Sequence, residues 1–141
     1  MMRPILVWLI MALVVVKCTG CGPNSDGSKL RESERLQSTI PLFPSMVLVS
    51  EHTISKSMVA DVSRHYKSDA AYEDVKSFYV DHLTRMGWTV GEEHPLKDWG
   101  EDLGGRELMF SKGEFYLAIS YAGDRAPWSW NYALTTGWRK K

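Results

Sequence analysis

Apolar residues follow two different periods in this chain, and the two periods occupy different stretches. Between Ala70 and Met86, Val75, Phe78, Tyr79, Leu83 and Met86 recur at three- and four-residue steps, the repeat of one helical face. Ser68 or Asp69 is placed to cap the first amides of that helix, and Glu73 and Asp74 stand near its positive end. Gly87 stands where a left-handed residue ends the helix, and Trp88 where the cap's apolar companion folds back toward Leu83. Elsewhere the period is two. Met58, Ala60, Val62 and Tyr66 share one side of a strand over 57–66, and Phe115, Leu117, Ile119 and Tyr121 do so over 114–121. Over 128–138 the residues Trp128, Trp130, Tyr132, Leu134 and Trp138 alternate with Ser129, Asn131, Ala133 and Thr135. Shorter strands are expected at 46–50, 88–93 and 106–111, with a tight turn at 111–114. One dry sheet face and one apolar helical stripe complete each other. The expected fold is therefore α+β, one amphipathic helix packed on one face of an antiparallel sheet of about five to six strands.

The start of the chain follows neither period. A basic residue, Arg3, precedes an unbroken apolar run from Ile5 to Val16, and small residues follow before Cys21. That run is too short for a bilayer core, which takes ~20 helical residues, and it suits the apolar centre of a secretory signal. Cys18-Thr19-Gly20-Cys21-Gly22 resembles the lipobox of bacterial lipoproteins, in which the leader is cut before a cysteine whose thiol carries a diacylglycerol. Gly20 supplies the small residue needed before Cys21, whereas Lys17 precedes Cys18, so the resemblance implies lipidation at Cys21. An uncleaved membrane anchor and an ordinary secreted protein are the rival readings. Gly22 replaces the Asp that retains some diderm lipoproteins in the inner membrane, which leans toward the outer one.

The next stretch, 22–39, is polar and offers only Leu30 and Leu36 for burial. It reads as a flexible tether, with at most a short helix over 30–36. The prolines of Ile40-Pro41-Leu42-Phe43-Pro44 then open the folded part in an extended conformation. The expected division is a signal peptide at 1–20, a lipid-proximal tether at 21–39 and a single domain at 40–141.

Composition narrows the chemistry. Both cysteines, Cys18 and Cys21, lie in or beside the leader, leaving the rest of the chain no thiol for a disulfide, a zinc knuckle or a nucleophile. Of 17 basic residues, Arg3 and Lys17 leave with the leader, so 15 face 17 acidic ones, a formal −2. The only basic run beyond the leader is Arg139-Lys140-Lys141, read as a solvated tail, so nucleic acid is not an expected partner. Histidines at 52, 65, 82 and 94 share no ligand spacing, and Glu92-Glu93-His94 lacks a third ligand, so neither a metal nor another cofactor is expected. No nucleophile elbow or phosphate-binding glycine loop is present, and the adjacent acids Glu73-Asp74 and Glu101-Asp102 cannot share a proton across one helical face.

Two features invite a binding role. The row Trp128, Trp130, Tyr132, Trp138 is the kind of ladder that holds sugar rings or peptide, but its alternation with small polar residues predicts burial beneath the helix. The stretch 94–105 reads as a long loop, and its Trp99, flanked by Asp98 and Glu101, is the better candidate for ligand contact. With the Tyr66 to Asp69 segment, the helix and Gly87-Trp88, the chain resembles small bacterial envelope lipoproteins that carry one helix on an antiparallel sheet. That resemblance implies no activity. The expectation is a membrane-tethered, non-enzymatic interaction or accessory domain outside the cytoplasm, meeting the membrane through its lipid and an envelope protein or glycan through its fold. A lipoprotein holding glycan or peptide near 94–105 is the alternative, and a hydrolase is third.

Overall fold

A computed structural model describes residues 25–124 and 129–141, which form two helices and one six-stranded antiparallel sheet. In chain order the elements are α1 (Ser25–Thr39), β1 (Val47–Lys56), β2 (Val59–Lys67), α2 (Tyr72–Arg85), β3 (Thr89–Asp98), β4 (Glu101–Lys112), β5 (Phe115–Tyr121) and β6 (Tyr132–Arg139). The spatial order is β1-β2-β6-β5-β4-β3, so the last strand inserts between the β1–β2 hairpin and the β3–β4–β5 meander. The fold class is α+β. The leader, Cys21 and Trp128 lie outside the described residues.

The core follows from the period-two pattern. Tyr66 of β2, Leu117 and Ile119 of β5, and Tyr132 and Leu134 of β6 point to one side, where Val75, Tyr79 and Leu83 of α2 meet them. Each such side chain contributes roughly 1.5–3 kcal/mol on leaving water. The end of α2 has the anticipated form: Gly87 has φ 85°, its amide donates to the Thr84 carbonyl, and the amide of buried Trp88 donates to the Leu83 carbonyl. Its start does not. Ala71 occupies the cap position without a side-chain bond, and the Ser68 hydroxyl accepts from the Ala70 amide, before the helix begins.

The stretch expected to be a tether is a second helix, α1, and Leu36 joins the core. Its buried face is built mainly from polar residues, which an apolar pattern does not register. Ser33 donates to the Ala60 carbonyl at 3.1 Å. Buried Gln37 donates to the Leu134 carbonyl and accepts from the Thr136 hydroxyl. Satisfied in this way, these groups avoid the penalty of a buried unpaired dipole.

The stretch 94–105 is not a loop. β3 and β4 continue through it to a two-residue turn at Trp99 and Gly100, with φ 47° and 91°, the signs of a type I′ hairpin. The hairpin extends past the end of β5, and most of its outer residues stay exposed, so no apolar alternation announced it.

Trp130 also departs from expectation. Asn131 stops the alternation: its side-chain amide donates to the Ser68 carbonyl at 2.6 Å and accepts from the Ser68 amide at 3.0 Å, while its backbone bonds Tyr66 and Ala122. β6 starts only at Tyr132. Tyr132 therefore lies beneath the helices, and Trp130 lies half-buried against His65 on the opposite side of the sheet.

Candidate functional site

The helices cover one face of the sheet, and the other face carries polar side chains that meet across the strand register. The Ser63 and Thr135 hydroxyls are 2.9 Å apart on paired positions of β2 and β6. Ser120 on β5 donates to Glu107 on β4 at 2.8 Å. Tyr116 on β5 donates to the buried carboxylate of Asp61 at 2.7 Å, spanning β6 at Gly137, where a Cβ would come within 3.0 Å of both groups. The phenol of Tyr116 is pushed far up from its ordinary value, first by burial and then by its bond to Asp61.

The far end of the β3–β4 hairpin reaches over this face. Leu96, Lys97 and Asp98 form one wall of a groove of about 380 Å³, and Ser63, His65, Ser120, Trp130, Ala133 and Thr135 form the rest. The hairpin is held from beneath by the connection that follows β5. The Asp124 amide donates to the Leu103 carbonyl at 2.8 Å. Gly123, at φ 65°, lies so close to Leu103, Gly104 and Gly105 that a Cβ would fall within 3.0 Å of their backbone.

His65 is the chemically distinctive member of the groove. Its ring lies 4.5 Å from that of Trp130 and 5.2 Å from that of His52, and its Nδ1 is 3.2 Å from the Ser50 hydroxyl. Burial, then the neighbouring His52, lowers its pKa below the ordinary histidine value. At neutral pH the ring is uncharged, with one nitrogen donating and one accepting. Beside it stand an aromatic face, paired hydroxyls and the Asp98 carboxylate. This arrangement can bind polar, ring-bearing or extended ligands by stacking and hydrogen bonds. Among the described residues no group of three or more His, Cys, Asp or Glu side chains is placed to hold a metal ion.

The residues singled out from sequence separate here. Asp98 lines the groove, Glu101 pairs with it across the hairpin and is exposed, and Trp99 stands fully exposed at the tip, outside the lining. A bulky residue at positive φ is uncommon and costs of order 1–2 kcal/mol. The reading of residues missed His65, Ser63 and Thr135 and assigned Trp130 to the core. The only signal for them was their alternation with buried neighbours on β2 and β6, which placed them on the uncovered face without showing that a hairpin borders it.

No protein-family model, no curated protein and no solved structure matches this chain.

Proposed function

We propose that this protein is a membrane-tethered, non-enzymatic interaction domain of the cell envelope, anchored through acylated Cys21, and that its groove holds a glycan or an extended polar peptide. The observation that carries the binding part is the Trp130 ring set against His65 beside the Ser63–Thr135 hydroxyl pair, beneath the Asp98 wall. An aromatic face supplies area at low entropic cost, and the flanking hydroxyls and neutral imidazole supply orientation. The anchor rests on the leader and the Thr19-Gly20-Cys21 sequence. A diacylated, or doubly signalled, terminus binds a bilayer stably where one chain alone is marginal.

Two measurements test the two halves separately. Purified protein is passed over peptidoglycan, glycan and peptide beads, and Trp130→Ala and Thr135→Val are expected to lose retention while melting cooperatively. Retention equal to that of the unaltered protein in both variants rejects the groove. Cys21→Ser is expected to abolish incorporation of a clickable fatty acid in cells, and undiminished labelling rejects the anchor.

A further inference from the structure

The strands give the domain two ends, one basic and one of mixed charge. At one end lie the start of α1, the β1–β2 turn, the β4–β5 turn and the last residues of β6. Three contacts tie these together: Lys29 of α1 pairs with Glu114 of the β4–β5 turn, Trp138 Nε1 donates to Glu114 at 2.9 Å, and the Lys140 amide donates to the Met58 carbonyl at 3.0 Å. Glu114, the acid of that turn, is thereby neutralised. Lys56, Arg139, Lys140 and Lys141 are exposed there, and none of them enters an ion pair among the described residues. Glu114, Trp138 and the residues from Arg139 to Lys141 line an open recess of about 360 Å³, and Met58 projects beside them at 57% exposure. The opposite end, at the hairpin tip, carries Asp98, Glu101 and Asp102 with Lys97 and Arg106, and Arg106 pairs with Asp102 at 3.1 Å.

We infer that the basic end lies against an anionic phospholipid surface, with Met58 and Trp138 at headgroup depth and the groove's hairpin pointing away from the bilayer. Charge complementarity favours this occupant, because each lysine or arginine close to an anionic leaflet is attracted to it, and half-buried indole rings settle at the interface. Chain length favours it as well. α1 starts at this same end, and Ser25 follows Cys21 by four residues, which span at most ~14 Å when fully extended. On the proposed acylation of Cys21, a lipid there holds the basic end next to the headgroups.

The test uses the full-length protein purified from membranes and reconstituted into phosphatidylcholine vesicles with or without phosphatidylglycerol. A fluorescent noncanonical residue is placed at Met58 or at Trp99, and headgroup-labelled lipid is the quencher. Quenching at position 58 is expected to be several-fold stronger with phosphatidylglycerol than without it, the anchor alone supplying the remainder, and to fall to that remainder in about 0.5 M salt, where screening is nearly complete. The combined Lys56→Glu, Lys140→Glu and Lys141→Glu variant is expected to show only that remainder while melting as the unaltered protein does. Position 99 is expected to stay unquenched throughout. Equal quenching at the two positions, or quenching at 58 that ignores phosphatidylglycerol, overturns the inference. Mass spectrometry of the same sample reads the anchor: acylated Cys21 with no phosphatidylglycerol-dependent quenching at 58 rejects the surface alone, and unmodified Cys21 with lipid-dependent quenching rejects the anchor and leaves the surface standing.

Discussion

Gln37 and Thr136 are hydrogen-bonded to each other in the interior, the Thr136 hydroxyl donating to the Gln37 side-chain oxygen where α1 crosses β6. The same glutamine reaches the Leu134 carbonyl through its nitrogen. Gln37→Ala leaves a cavity and an unsatisfied hydroxyl together, so a loss of ~2–4 kcal/mol is expected. Gln37→Ala with Thr136→Val is expected to recover part of it, because both ends of the bond are then apolar. Denaturant melts of the three variants check this. A loss below ~0.5 kcal/mol for Gln37→Ala would mean that the Gln37 bonds contribute nothing to the fold.

Gly137→Ala is expected to be severely destabilising. The added methyl meets the Asp61 carboxylate and the Tyr116 hydroxyl within 3.0 Å, and their buried bond must break or shift. Overpacking of that kind costs ~1–3 kcal/mol, and separating a buried carboxylate from its donor adds to it. Asp61→Ala in the Gly137→Ala background is expected to restore much of the loss, a non-additivity that a double-mutant cycle of thermal melts measures directly.

Trp99→Asn is expected to stabilise the protein by ~0.5–1 kcal/mol. Trp99 occupies the first turn position at φ 47° with its side chain fully exposed, and Asn-Gly is the pair that this turn favours. The melting temperature should rise. If it falls, the exposed ring has a packing role that its position does not show.

Stability is expected to decline as pH falls through the histidine range, in part because of His65. Its folded pKa is depressed, so between that value and its unfolded value the unfolded chain binds more protons. The stability His65 lends is present above the unfolded pKa and is lost as pH falls toward the folded one. His65→Gln should flatten the fall in melting temperature between neutral pH and about pH 5, the unfolded histidine titrating near 6.5. An unchanged slope would show that the ring is not shielded from water.

The elements that were legible from sequence are those whose burial is apolar. α2, with its Gly87-Trp88 cap, and the inner faces of β2 and β5 are written in Val, Leu, Ile, Tyr and Phe at one clear period. α1 was illegible because Ser33 and Gln37 are buried through hydrogen bonds, and hydropathy ranks both as surface residues. The outer half of the β3–β4 hairpin was illegible because only Leu96 to Asp98 border the groove and most of its length is exposed. Trp130 misled because a single residue, Asn131, spends its amide on Ser68 and shifts the phase of the alternation just before β6. The groove depends on both of these departures, so its residues were visible one at a time and their assembly was not.

The connection after β5 touches the groove twice, at Gly123 beneath the hairpin and at Trp130 in the lining. Besides the hairpin wall, the strands supply the rest of the lining, Ser63 and His65 from β2, Ser120 from β5, and Ala133 and Thr135 from β6. A methyl at position 123 would collide with the Leu103–Gly105 backbone at a strained φ, whereas a new ring at 130 would resurface the bed on the side of the sheet away from the core. Trp130, Ser63 and Thr135 lie outside the apolar core cluster, so a ligand of the proposed kind would be selected by side chains that the core does not need.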